Sequence, residues 1–334
     1  MGWRVRAGLL ALAGAALSTP MVGALANEAE APVPAMPAEL ASFHAKDQRL
    51  QDIGWQLVTG NAPFCERTQL AVGLQLQDMA VFSEPAAIRS ALGLKGDFAV
   101  QTVAEGSPAA EHFHANEEVI ALDGDAFGAW PAEERNHWQR LARAHDAIDA
   151  SLAQDGGVTI TPLAGAAITL SGVPACASRF ELGSGHKRAL AEGKRVIFGE
   201  DFVGFTFPEE ELAAVIAHEL SHNLLAHRVW LDTHGRKRKN VRASEREADR
   251  LMPWLLTNAG YEPEAALRFM ERWGPNHSAG IFRARTHEGW DERAVHIAAE
   301  IERVKTHRAP DGSADWKTHF RRELGENGEL TPLD

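Results

Sequence analysis

Beyond its first residues the sequence has no hydrophobic run long enough to cross a membrane. The best later run, Leu212 to Ala217, ends at a histidine after six residues, whereas a spanning helix needs about 20 apolar residues. We therefore expect no stable membrane insertion of the mature chain.

The sequence is also poor in basic residues. It has 34 Lys and Arg against 46 Asp and Glu, a net charge of −12 with neutral histidines. A surface of that sign repels phosphate backbones, so nucleic acid is not an expected partner. Its 45% hydrophobic and 24% charged residues are typical of a globular protein with a sizeable core.

The N-terminal residues have the composition of an export signal. Two arginines precede an uncharged, Ala/Leu-rich stretch (7–17), and Ala24-Leu25-Ala26 matches the pattern that signal peptidase cleaves. We expect residues 1–26 to be a cleaved signal peptide and the protein to be periplasmic or otherwise exported. An uncleaved membrane anchor is the alternative. Residues 27–37, rich in Ala, Pro and Glu, are expected to form a disordered leader.

Cys65 and Cys176 are the two cysteines of the chain. In an exported protein such a pair most often forms one disulfide, and two free buried thiols are the alternative. A bond between them would join the chain before a β-rich segment to the chain after it. The expected divisions are an N-terminal helical part (38–83), an insert (84–173), the remainder of the main domain (174–310) and a C-terminal tail (311–334).

The insert has a recognisable order of elements. Strand-like runs at 98–103, 119–122, 158–162 and 167–170 surround a helical stretch at about 132–152. The runs GSPAA and EEVIALDG resemble the corresponding stretch of PDZ modules, which bind extended peptides at a sheet edge. The resemblance implies a carboxylate-binding loop near Leu92-Gly93-Leu94. A rigid β-rich insert without a ligand is the alternative.

A metal-binding pattern lies on a predicted helix that begins near Pro208, with three glutamates in its first turn. This helix carries His218-Glu219-Leu220-Ser221-His222. Histidines at i and i+4 project from one face, so both can ligate one ion. Glu219 cannot easily reach the same position, but it can take a proton from the metal's water as a general base.

A second helix, predicted over about 243–258, supplies the remaining groups. Glu245 and Asp249 are again four residues apart and share a face. Glu245 can be the third ligand of a catalytic zinc, while Asp249 can support a ligand histidine through its free ring nitrogen. Glu247 points to another face, and we expect His227, beyond the first helix face, to be structural.

HELSH followed by EREAD resembles the gluzincin peptidases of the HtpX and CAAX-prenyl-protease-like family. The resemblance implies Glu245 as third ligand, one Zn²⁺ per chain, and the strand around Arg195 to Phe198 as the partner of an extended substrate. Thr286-His287, followed by Arg293, is similar to a family element near the metal. His287 is then a candidate catalytic or gating residue, or else a surface histidine, and Arg293 a supporting residue.

The expected fold class is α+β: a mostly helical zincin-type metallopeptidase domain with a small substrate-binding sheet, plus an inserted β-rich PDZ-like domain. The expected function is an exported zinc endopeptidase acting on unfolded or damaged envelope proteins, with polypeptide substrates possible ligands of the insert. Two alternatives stay open. The chain could be a PDZ-mediated binding or chaperone-like protein with a latent or structural metal site, or a hydrolase of non-peptide amides.

Overall fold

The computed structural model describes residues 37–132, 137–277 and 289–331. The predicted signal peptide, nearly all of the predicted leader, and His287 lie outside these residues. The described chain has an α+β fold with small sheets, as expected. No helix within the described ranges is long and apolar enough to cross a membrane.

The described residues form nine helices, of which four were predicted from the sequence, with bounds that differ by up to six residues. Their bounds are α1 (Ala38–Gly60), α2 (Pro85–Leu92), α3 (Trp138–Asp155), α4 (Glu209–Leu224), α5 (His227–His234), α6 (Arg238–Asn258), α7 (Ala265–His277), α8 (Trp290–His307) and α9 (Trp316–His319). The helix carrying the HExxH pattern starts one residue after Pro208, as predicted. It ends earlier than predicted because Ala226 adopts a left-handed conformation with φ 54°.

The predicted strands are also present. The strands of the described residues are β1 (Thr68–Ala71), β2 (Leu74–Asp78), β3 (Phe98–Val103), β4 (Val119–Leu122), β5 (Asp125–Ala126), β6 (Gly157–Pro162), β7 (Ile168–Ser171), β8 (Val173–Cys176), β9 (Arg179–Gly183), β10 (Ala189–Ala191) and β11 (Arg195–Gly199). They form four small sheets, with the strand orders β1-β8, β10-β11-β9, β2-β3 and β5-β4-β6-β7.

One hydrophobic core is built around α4. Leu212, Ile216 and Leu220, the predicted apolar stripe, are fully buried, and each contributes about 2 kcal/mol of hydrophobic stabilisation. Small residues between them let α4 contact α1, α6, α7 and the sheet of β10 and β11 at once. A helix enclosed on nearly every side holds its side chains in fixed positions.

A second hydrophobic core lies between α3 and the strands from β2 to β7. Its members run from Val72 to Leu170. It therefore includes β2, which precedes residue 84, where we expected the insert to begin. Arg140 of α3 closes this core from one end, because it donates to the buried Asp78 and, at 2.8 Å, to Asp97.

The two cores are joined where the chain enters and leaves the second one. β1 pairs antiparallel with β8 over four residues, from Thr68 opposite Cys176 to Ala71 opposite Val173. The disulfide between Cys65 and Cys176, predicted from the sequence, closes the same place with a Cα–Cα distance of 5.6 Å. The segment that enters the second core and the segment that leaves it are therefore joined by a disulfide and by the β1–β8 hydrogen bonds.

The C-terminal residues pack back on the helical core. Trp316 is buried, and its indole nitrogen donates to Asn61 at the end of α1 over 3.0 Å. Asn61 in turn donates to the Leu255 carbonyl of α6 at 3.0 Å. Further along, Glu323 and Leu324 are buried as well. The segment 314–324 is thus attached to the core through its buried residues.

Candidate metal centre

α4 brings His218 and His222 to the same point. One helical turn separates them, and their Nε2 atoms lie 3.3 Å apart. Because α4 is enclosed by other elements, neither ring can leave this face by a shift of the helix. Their side chains keep 11% and 16% exposure, so both rings are largely but not completely buried.

α6 packs against α4 and supplies the third group. The Glu245 carboxylate lies 3.6 Å from Nε2 of His218 and 3.7 Å from Nε2 of His222. Ligands held about 2.0–2.2 Å from a tetrahedral zinc ion lie roughly 3.3–3.6 Å from one another. The three atoms therefore fit the spacing of zinc ligands, and nitrogen with carboxylate oxygen is a donor set that zinc accepts.

His218 is oriented from behind by Asp249, as the sequence predicts. Its Nδ1 lies 3.1 Å from Oδ1 of Asp249, which is completely buried on α6. Arg293 of α8 donates to both carboxylate oxygens, from Nε at 2.6 Å and from Nη2 at 2.7 Å. Three helices thus meet at His218, and the arginine compensates the buried carboxylate.

His222 is oriented by His227, a contact that the sequence analysis did not find. The Nδ1 atoms of the two rings lie 2.8 Å apart, and Nε2 of His227 lies 2.8 Å from the buried Glu247. The left-handed Ala226 turns the chain so that α5 starts with His227 against His222. Nothing in the sequence marks an alanine for that conformation, so only the fold reveals this second support.

The three grouped side chains differ in their pKa values. Burial opposes protonation of His218, but Asp249 and Glu245 outweigh it and raise its pKa to about 10. Burial lowers the pKa of His222 to about 3. Despite its burial, Glu245 has a pKa well below its usual range because of His218, His222 and Arg293. A metal ion held by this set would therefore compete with a proton on His218.

Glu219 is half-buried beside the ligand group. Burial raises its pKa to about 7, partly offset by His218 and reinforced by Glu245. A carboxyl group with this pKa can both accept and return a proton near neutrality. It is not one of the three groups with metal-ligand spacing, which fits the separate role that the sequence suggests.

The sheet beside α4 corrects one expectation. β11, the strand around Arg195 to Phe198, lies in the middle of its sheet, with β10 antiparallel on one side and β9 parallel on the other. Both of its edges are occupied, so it cannot pair with a substrate. β10 and β9 are the two edge strands of this sheet, and β10 is the one that contacts α4. Asn223, next to His222, accepts from Gly193 N and donates to the Arg195 carbonyl, which fixes the β10–β11 turn to α4.

A cavity of about 1050 Å³ lies where the two cores face each other, among α1, α3, β2 and β9. Its lining combines apolar side chains with polar and charged ones, among them Asp47, Gln75, Leu76, Leu141, His145 and Glu181. None of the metal-site residues lines it.

This cavity does not lie at the expected carboxylate-binding loop. Leu92, Gly93 and Leu94 end α2, with Gly93 in the left-handed conformation, and they do not line the cavity. β2 pairs with β3 on one side, and within the described ranges no strand covers its other edge. Gln75 and Leu76 of β2 and Leu141 of α3 are among the residues that line the cavity.

Comparison of the chain with protein-family models, with curated proteins and with solved structures finds no match.

Proposed function

We propose that this chain is a zinc-dependent endopeptidase, with His218, His222 and Glu245 as ligands and Glu219 as general base. The observation that carries the proposal is the spacing of 3.3 to 3.7 Å among the three ligand atoms. It comes with a separate carboxyl group whose pKa is near 7. A structural zinc site fills four positions with protein side chains, whereas three ligands leave one position for chemistry.

Zinc bound here would supply a Lewis acid for the scissile carbonyl and an activated water. Glu219 would take the proton of the attacking water and return it to the leaving amine. Asp249 and Arg293 would keep His218 in place during this cycle. By the resemblance, His287 is proposed to stabilise the developing oxyanion or to gate the site.

The substrate is proposed to pair with β10. In the β10–β11 ladder the backbone nitrogen of Glu192 donates to the Arg195 carbonyl, and that of Gly199 donates to the Arg188 carbonyl. Because the pairs of an antiparallel ladder alternate, the backbone N–H and C=O of Leu190 also point toward β11. Ala189 and Ala191 then present their backbone groups to the free edge. Pairing of this kind recognises an extended backbone more than a sequence, which suits unfolded or damaged envelope proteins as substrates.

A PDZ-like insert is proposed to help recruit such chains. The cavity beside β2 would hold an extended peptide, and its separation from the metal ligands would allow binding and cleavage at different points of one substrate. The same cavity is the observation that favours the second candidate, a peptide-binding protein with a latent metal site. That candidate needs no turnover, so cleavage assays separate the two.

The test compares the chain from Asn27, the expected mature N-terminus, with its Glu219→Gln variant. Casein cleavage and bound zinc are measured for both, and Glu209→Gln, an exposed glutamate on the same helix, is the control. We expect one zinc in all three proteins and cleavage by the wild type and the control alone. Zinc without cleavage in every protein would favour the binding role. Absence of zinc from the wild type would overturn the proposed ligand set.

A further inference from the structure

Glu247 is a buried carboxylate surrounded by hydrogen-bond donors. It is completely buried on α6 and is not one of the three proposed ligands. Its carboxylate lies within hydrogen-bond distance of four donors: His227 Nε2, Arg322 Nε, and the backbone nitrogens of Glu323 and Leu324. A buried carboxylate that receives this many donors is ionised and accepts only.

This acceptor fixes the proton positions of two histidines. Glu247 requires that Nε2 of His227 carries the hydrogen, because two acceptors cannot form the 2.8 Å contact. Neutral His227 then has an unprotonated Nδ1, which accepts from Nδ1 of His222 across 2.8 Å. His222 therefore keeps its lone pair on Nε2, the atom that faces His218 and Glu245.

Three of the four donors to Glu247 come from the C-terminal segment 322–325. Arg322 also donates to the Leu225 carbonyl at the end of α4 over 3.0 Å. Glu323 is an ion-pair partner of Arg246 and of Arg250 on α6. The indole nitrogen of Trp230 on α5 donates to the Gly325 carbonyl at 2.8 Å. The segment is thereby attached to α4, α5 and α6 around one carboxylate.

We propose that His227 and Glu247 are positioning residues of the metal centre, and that the C-terminal segment 322–325 completes it by holding Glu247. This inference depends on the proposed function, because it concerns the same zinc ligands. The two proposed histidine ligands are then oriented in different ways. His218 has a direct carboxylate, whereas His222 has a relay of one imidazole and one carboxylate fixed by the end of the chain.

The consequence is a dependence of metal affinity on residues that do not contact the metal. Loss of the acceptor for His222 leaves its ring free to rotate or to place its hydrogen on Nε2, and either change removes a ligand. Changes to such outer supports of zinc ligands reduce metal affinity by about 10- to 100-fold.

The experiment compares two substitutions of similar size, His227→Leu and His227→Gln. The glutamine carbonyl can accept from His222, whereas leucine cannot. Dissociation constants for Zn²⁺ are measured by competition with a chelator, and Co²⁺ absorption reports the ligand geometry. We expect the constant to rise about 10- to 100-fold for leucine, with an altered Co²⁺ spectrum. For glutamine we expect a constant within roughly threefold of the wild type.

Arg322→Met is a second test, chosen because the Arg322 side chain is partly exposed and methionine keeps its aliphatic part. We expect a rise on the order of threefold to tenfold. Wild-type Zn²⁺ affinity in the leucine and methionine variants would overturn this inference and leave the proposed function standing. Equal loss in the leucine and glutamine variants would overturn the acceptor role. If the wild type binds no Zn²⁺, the proposed function fails, and the inference fails with it.

Discussion

Arg293 and Asp249, 44 residues apart in the chain, form a two-point ion pair directly behind His218. The pair joins α8 to α6, and the carboxylate extends the link to α4 through His218. The orientation of a proposed zinc ligand therefore depends on the packing of three helices. Substitutions at the contacts among these helices should therefore change the metal affinity even where the fold is kept.

The first prediction concerns this pair. Asp249→Asn removes the charge that Arg293 and His218 share, and we expect the dissociation constant for Zn²⁺ to rise about 10- to 100-fold. Chelator competition measures it. Asp291→Asn, an exposed acid at the start of α8, is the control with no expected change. An unchanged constant in Asp249→Asn would show that His218 needs no carboxylate behind it.

Removal of the metal should lower the stability of the folded chain. A ligand that binds only the folded state adds about 4 kcal/mol of unfolding free energy when its free concentration is 1,000 times its dissociation constant. We therefore expect addition of a chelator to reduce the melting temperature, and excess Zn²⁺ to restore it. His222→Ala should melt at the same temperature with and without Zn²⁺. A shift of equal size in that variant would place the stabilising metal elsewhere.

The disulfide should contribute a large part of the stability, because it closes a long loop. Cys65 and Cys176 are 111 residues apart, and in the chain-entropy account a loop of this length is worth about 4 to 5 kcal/mol. The double Cys→Ser variant should lose that much unfolding free energy in urea. Reduced wild type is the matched control and should lose a similar amount. A loss below about 1 kcal/mol would contradict the chain-entropy account.

Asp47 should make the stability depend on pH. Burial, opposed by hydrogen bonds from Gln51 and Gln101, raises its pKa from 3.8 to about 6. The folded state holds this proton more tightly than the unfolded state does. The contribution is therefore complete below about pH 4 and is lost as the pH rises to about 6, with a total of up to about 3 kcal/mol.

Asp47→Asn tests this assignment by unfolding in urea at pH 4 and pH 7. The difference in unfolding free energy between the two pH values should shift toward higher stability at pH 7 by up to about 3 kcal/mol relative to wild type. Asp155→Asn, at the exposed end of α3, should leave the wild-type difference unchanged. Identical pH profiles for wild type and Asp47→Asn would rule out Asp47 as the source.

The substrate edge can be tested at Ala191. Its backbone nitrogen is expected to face away from β11, so proline removes a donor to the substrate without removing a ladder bond. We expect kcat/KM for casein to fall roughly tenfold in Ala191→Pro, the equivalent of about 1.4 kcal/mol. Ala191→Val keeps the donor and serves as the control. Full activity of the proline variant would exclude this edge as the substrate partner.

The sequence by itself determined the local parts of the molecule. The spacing of His218 and His222, and of Glu245 and Asp249, follows from helical periodicity, because side chains four residues apart share one face. The glutamates after Pro208 marked the start of α4 within one residue. The runs of β-branched and alternating residues gave the strands at 98–103 and 119–122 with the observed bounds.

The tertiary structure decided everything that depends on contacts between distant residues. Strand propensity cannot tell an edge from a centre, so it left unseen that β10 and β9 enclose β11. The support of His222 needs a left-handed alanine and a carboxylate on another helix. The C-terminal segment reaches that carboxylate through backbone nitrogens, which every sequence carries alike. Such long-range pairings are set by the packing of the whole core, and no local pattern encodes them.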